Sequence, residues 1–148
     1  RILFTRKTLR SISLIVDIYN YISLKFRISV GAHDMQKLSR SVKLGVTRHD
    51  DRFLPLGSNR SQSVPVGEYA YRDGDGEILC RLECRQSDRT KIEPGSQEVL
   101  FIFQGHIATP THVIPAAIEE LKSLLGKYCG PYTKERMLFL PDTLSHAS

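Results

Sequence analysis

Two hydrophobic periods alternate along the chain. Over residues 12–26, "ISLIVDIYNYISLKF", apolar groups at Ile12, Ile15, Val16, Tyr19, Ile22 and Phe26 keep the spacing of one helical face. Ser11 is the candidate cap. Leu14, Ile18 and Tyr21 make the other side apolar as well, so this helix is expected to be buried on most sides. Asp17 and Asn20 would then each need a polar partner. Residues 28–38 read as a turn and connector, and residues 41–56 as two short strands around His49, Asp50, Asp51 and Arg52. Residues 57–67 are a polar loop without an apolar period. "EYAYRDGDGEILCRL", residues 68–82, is a hairpin turning at Asp73-Gly74-Asp75-Gly76. The unbroken apolar run of 98–106, "EVLFIFQGH", fits a central strand. Pro115 opens a second helix whose stripe is Ile114, Ala117, Ile118, Leu121, Leu124 and Leu125, ended by Gly126. Helix, strands, helix predicts an α+β fold. Its strands should be mostly antiparallel, in a sandwich- or barrel-like sheet flanked by an N-terminal and a C-terminal helix.

The second strand of the hairpin leads into the most polar cluster of the chain. Ile78, Cys80, Leu82 and Cys84 should share one face, and Leu79, Arg81, Glu83 and Arg85 the other. Ser87, Asp88, Arg89, Thr90 and Lys91 follow at once. Two readings are open. Glu83, Arg85, Ser87, Asp88, Arg89 and Thr90, with Asn20 of the first helix, form a site for a carboxylate, ester or ribose, clamped by Arg85 or Arg89. Alternatively, a salt-bridged network ties the loop to the sheet.

Composition narrows the class. The 148 residues are 41% hydrophobic and 25% charged, which fits one globular domain. The domain is expected over 1–126, with 127–148 as a tail holding one apolar patch, "MLFL". The chain opens on Arg1 rather than Met, so it reads as processed or lacking its true start. No apolar run of about 18 residues exists, so no membrane span is expected. No secretory signal pattern is present either, and a cytoplasmic location is expected. Cys80, Cys84 and Cys129 lack the paired spacing of a metal site and read as reduced thiols. The Asp73–Gly76 turn fails calcium-loop spacing, because Ile78 and Cys84 stand where a glycine and a glutamate belong. No metal and no cofactor are expected. His33, His49, His106 and His112 show neither triad nor metal spacing and read as structural or exposed.

Charge is uneven: residues 1–60 hold 12 Lys/Arg against 4 Asp/Glu, and the remainder 9 against 12. The basic half suits phosphate, with Arg6, Lys7, Arg10, Lys43, Arg48 and Arg52 as the candidate contacts. Aromatic and basic residues do not interleave as on a single-strand RNA platform, so any RNA grip should be electrostatic and local.

"VDIYNYISLK" at 16–25, "FLPLGS" at 53–58, "VGEYAYRDGDGEILCR" at 66–81 and "RQSDRTKI" at 85–92 together resemble the tRNA-synthetase B3/4 domain. That domain is the editing module of the bacterial phenylalanyl-tRNA synthetase beta subunit. The likeness covers about residues 11–126 and is strongest to the free-standing branch. That branch usually carries more chain before the first helix, which suggests a fragment or a shortened relative. The resemblance implies binding of an aminoacyl-tRNA 3′ end, with hydrolysis of a mischarged ester as the associated activity. It implies tRNA as partner, and neither DNA nor a membrane. Of three family site positions, the helix Asn matches Asn20, the His position holds Gly31 and the late-strand Glu position holds Ile102. The catalytic residues and the oligomeric state therefore stay unassigned. A non-catalytic binding module for an amino acid, a nucleotide or a protein partner is the alternative.

Overall fold

The computed structural model describes residues 13–39, 41–82 and 85–131, with the backbone alone described at Arg85. The first helix, α1, spans Leu14–Phe26. Its cap is Ser13 rather than Ser11: the Ser13 hydroxyl accepts from the Val16 N–H at 3.3 Å. Ser23 closes the other end, its Oγ donating to the Ile28 carbonyl at 2.6 Å while its own carbonyl accepts from the Ile28 N–H. Only one face is buried, through Val16, Ile18 and Ile22. Leu14, Tyr21 and Leu24 lie open to solvent, so the second apolar stripe does not mark a helix buried on most sides.

The segment expected to be a connector is strand β1, Ser29–Asp34, followed by a 3₁₀ turn at Met35–Lys37. Strands β2 (Lys43–Val46) and β3 (Arg52–Phe53) are the two short strands foreseen around His49–Arg52. β4, Gln62–Ser63, lies in the polar loop and pairs with β3. β5 (Tyr69–Arg72) and β6 (Ile78–Arg81) form the hairpin. β7 is Arg85–Gln86, and β8 is Val99–Gln104. The second helix, α2, runs Val113–Tyr128 straight through Gly126, which does not end it.

The fold is α+β, and among the described residues all strand pairings are antiparallel and the strands close no barrel. They divide into a β1–β8 ribbon, a β2-β5-β6-β7 sheet and a β3–β4 ribbon. β8 is therefore not central; among the described residues it pairs with β1 alone. Phe101 and Phe103 pack under both helices with Val30, Ile22, Ala117 and Leu121, so a two-stranded ribbon carries a full core on one face, and the run is completed by Leu100 and Ile102 on the other. Burying a side chain such as Ile22 in that core contributes about 1.5–3 kcal/mol. A second core, of Phe53, Val64, Ala70 and Ile78, joins the β3–β4 ribbon to the larger sheet. β6 does not keep a clean inside and outside either. Ile78 and Leu79 are both buried, and Arg81 is buried against Glu68, with Nε to Oε2 at 2.8 Å.

Candidate functional site

β1 has two edges. One pairs with β8, and the other faces the segment that follows β7. The Gln86 side-chain amide donates to the Ala32 carbonyl, and the Thr90 carbonyl accepts from the Asp34 N–H at 2.9 Å. Two residues apart on an extended strand, Ala32 C=O and Asp34 N–H point to the same edge. Residues 86–90 thus cover the backbone groups that β1 would otherwise leave unpaired. The same loop holds the β3 side: Ser87 bridges Pro55, and the Asp88 N–H donates to the Leu54 carbonyl at 2.9 Å. One polar segment joins all three sheets, which accounts for the density of hydrogen-bonding groups after a short strand.

Each candidate then has a definite place. Ser87 is buried, its N–H donates to the Leu79 carbonyl at 2.8 Å, and its hydroxyl accepts from the Arg89 N–H at 3.2 Å. The Asp88 carboxylate accepts from the Gly57 N–H at 2.8 Å and from Lys91 at 3.1 Å. The Gly57 N–H first, and Lys91 second, hold it below the usual carboxylate range. Arg89 donates at 2.6 Å to Asp73, whose side chain is fully buried. Asp73 also accepts the N–H groups of Asp75 and Glu77, each at 3.1 Å. Thr90 is fully buried, with Oγ1 2.8 Å from Nδ1 of His33. Asn20 is half-buried on α1, and no hydrogen bond to a described residue joins its side chain to this loop. Glu83, Arg6, Lys7 and Arg10 lie outside the described residues, as does the Arg85 side chain. Lys43, Arg48 and Arg52 are exposed.

The spacing of residues did not single out His33, yet it sits at the centre. Its ring is wholly buried, burial pushes its pKa down to about 4, and Nε2 has no hydrogen-bond partner among the described residues. Gly31, two residues earlier, shares its face of β1. Gly31 stands directly opposite Ile102 and His33 opposite Leu100. Directly opposed residues share a face, and this one is turned away from the helices that cover Val30 and Phe103. A Cβ on Gly31 would meet nothing within 4 Å. Gly31, Ile102 and His33 thus lie together on one face, with the docked loop along its edge. Outside it, a shallow open depression of ≈ 560 Å³ is lined by Gly57, Ser58, Asn59, Asp88 and Lys91. Among the described residues no cluster of His, Cys, Asp or Glu suits a metal, and no helix is long and apolar enough to cross a membrane.

The family model of the B3/4 domain matches residues 3–130. The chain belongs to the B3/4 domain family. An N-terminal fragment of the phenylalanyl-tRNA synthetase beta-subunit from Pyrococcus horikoshii has the same fold, with a TM-score of 0.65 at 14% identity. The match covers 76% of this chain and 39% of that one, so this B3/4 chain spans well under half the length of the synthetase fragment. No curated protein matches it. The four sequence motifs that carry the resemblance fall on α1, on the β3 turn, on the β5–β6 hairpin and on the loop that docks against β1.

Proposed function

We propose that this chain is a free-standing relative of the synthetase editing domain that binds the aminoacylated 3′ end of a tRNA. Membership of the B3/4 family and the synthetase-type fold support the reading. The observation that carries it is the face holding Gly31, Ile102 and His33, walled along one edge by the 86–90 loop. In this reading the amino acid lies on that face. Ile102 and Leu100 offer it apolar contact, and the polar loop lies beside the ester and the terminal ribose. Hydrolysis asks little of such a site, because an aminoacyl ester is already activated. A positioned water and an oxyanion donor suffice.

A second reading, binding without catalysis, rests on a specific observation. The Asp88 carboxylate is committed to Gly57 and Lys91, and His33 is neutral, buried and bonded to Thr90. Both are weak bases at neutral pH: the Gly57 N–H and Lys91 favour the ionised Asp88, and burial disfavours a charged His33. The experiment is a panel of mischarged tRNAs incubated with the protein. Deacylation of one or a few of them, faster than spontaneous hydrolysis, is the expected result. Uniform background rates would remove the hydrolase and leave the binding module.

A further inference from the structure

Six of the described arginines fall into two groups; a further one, Arg27, is exposed at the end of α1. Arg72, Arg81 and Arg89 turn inward onto Asp51, Glu68 and Asp73, tying strands and loops together. Arg48, Arg52 and Arg60 turn outward, and none forms an ion pair with a described carboxylate. All three belong to one stretch, the β3–β4 hairpin and the turn that leads into it. Its backbone is held: the Asp51 carboxylate accepts the Arg48 N–H at 2.6 Å, and Ser58 Oγ accepts the Arg60 N–H at 3.1 Å. Of the two acids in this stretch, Asp50 is exposed beside His49 and Asp51 is taken up by Arg72; burial raises the pKa of Asp51, but the bonds from Arg72 and the Arg48 N–H, with the nearby charges of Arg72 and Arg48, outweigh this and hold it below its usual range.

Beyond the hairpin tip the surface continues into the depression formed by Gly57, Ser58, Asn59, Asp88 and Lys91. Its one carboxylate, Asp88, is already neutralised by Gly57 N–H and Lys91. Ser, Asn and Arg without a carboxylate partner are side chains that contact phosphodiester oxygens. The hairpin itself offers no stacking platform, since its aromatic residue, Phe53, is 2% exposed inside the second core; the exposed ring nearby, Tyr69, belongs to β5, opposite Val46. A hairpin with guanidinium groups and no exposed ring suits a nucleic-acid backbone rather than its bases.

We propose that the β3–β4 hairpin, through Arg48, Arg52 and Arg60, grips the phosphate backbone of the RNA whose charged end the chain receives. This rests on tRNA being the ligand, but not on recognition of the amino acid. It also relocates the phosphate contact, from the whole basic half of the sequence to one hairpin.

The test is binding of an uncharged tRNA transcript across a salt series. Arg52→Glu/Arg60→Glu is compared with Lys122→Glu/Lys127→Glu, an equal charge change on α2. The hairpin variant should lose at least tenfold in affinity, with a slope of log affinity against log salt smaller by roughly 2. The α2 variant should stay within about twofold of wild type, since its two lysines contact no phosphate in this account. Arg52→Lys/Arg60→Lys should restore most of the binding, because the charges return. Equal losses in the two Glu variants, no loss in either, or no tRNA binding by the wild type would overturn the proposal. So would tighter binding to phosphatidylserine vesicles or to poly-glutamate than to tRNA. Because the probe carries no amino acid, failure to recognise or hydrolyse a charged end leaves this result unchanged.

Discussion

His33 shows how one side chain holds this interior together. Its ring is sealed in, bonded among the described residues only to Thr90, and stable there only while neutral. Its folded pKa of about 4 lies below the value near 6.5 of an unfolded histidine. The unfolded chain therefore takes up the proton first as acid is added. The contribution of neutral His33 is complete above about pH 6.5 and is lost as pH falls toward 4, amounting to about 3 kcal/mol over that window. His33→Asn should flatten this part of the curve. Denaturant melts of both proteins at pH 7, 5.5 and 4.5 measure it; parallel pH dependences would contradict the buried neutral ring. The sequence did not show this role. An isolated histidine in "GAHDM" carries no spacing signal, and its partner Thr90 lies 57 residues away. Asp73 was half visible: the Asp-Gly-Asp-Gly turn was legible, but not that its first carboxylate also reaches Arg89.

At the scale of elements, helices and hairpins were legible and strand neighbours less so. α1, α2 and the β5–β6 hairpin follow from period and turn chemistry. β1 does not, because Gly31 and Ala32 give it no apolar alternation to read. Its strand character comes from outside, from β8 on one edge and the 86–90 loop on the other. β8 misled in the opposite sense. The helices packed on the ribbon account for Phe101 and Phe103, while Leu100 and Ile102 lie on the opposite face with Gly31 and His33. Gly126 looked like a helix end but lies inside α2, and a Cβ there meets nothing within 4 Å. Gly126→Ala should therefore stabilise the protein by about 0.5–1 kcal/mol, read as a raised melting temperature; a lowered one would contradict the continuous helix.

The β1–β8 pairing also bears on specificity. Under the proposed function, Ile102 lies opposite Gly31, where a bound tyrosine would leave its phenol unpaired. Burying that hydroxyl without a partner costs about 1–3 kcal/mol. Wild type should therefore clear tyrosine from tRNA for phenylalanine slowly or not at all, and Ile102→Glu should clear it faster. Rapid clearance by wild type, in single-turnover deacylation, would mean that another group reads the hydroxyl.

At the scale of the whole molecule, the described residues form three small antiparallel sheets held by one polar loop, with two helices on the ribbon that bears the candidate face. The α+β class and the family were legible because several motifs stand in the family's order along the chain, and both the family model and the synthetase-type fold match it. The central claim is that this face receives the charged end of a tRNA. Binding tests it independently of catalysis. The affinity for tRNA carrying an amino acid through a non-hydrolysable amide at its 3′ end is measured beside that for the same tRNA uncharged, at one salt concentration. Tighter binding of the charged form, with the gain lost in a Gly31→Phe variant whose ring occupies the face, is the predicted result; equal affinity for charged and uncharged tRNA, whatever the amino acid attached, would contradict it.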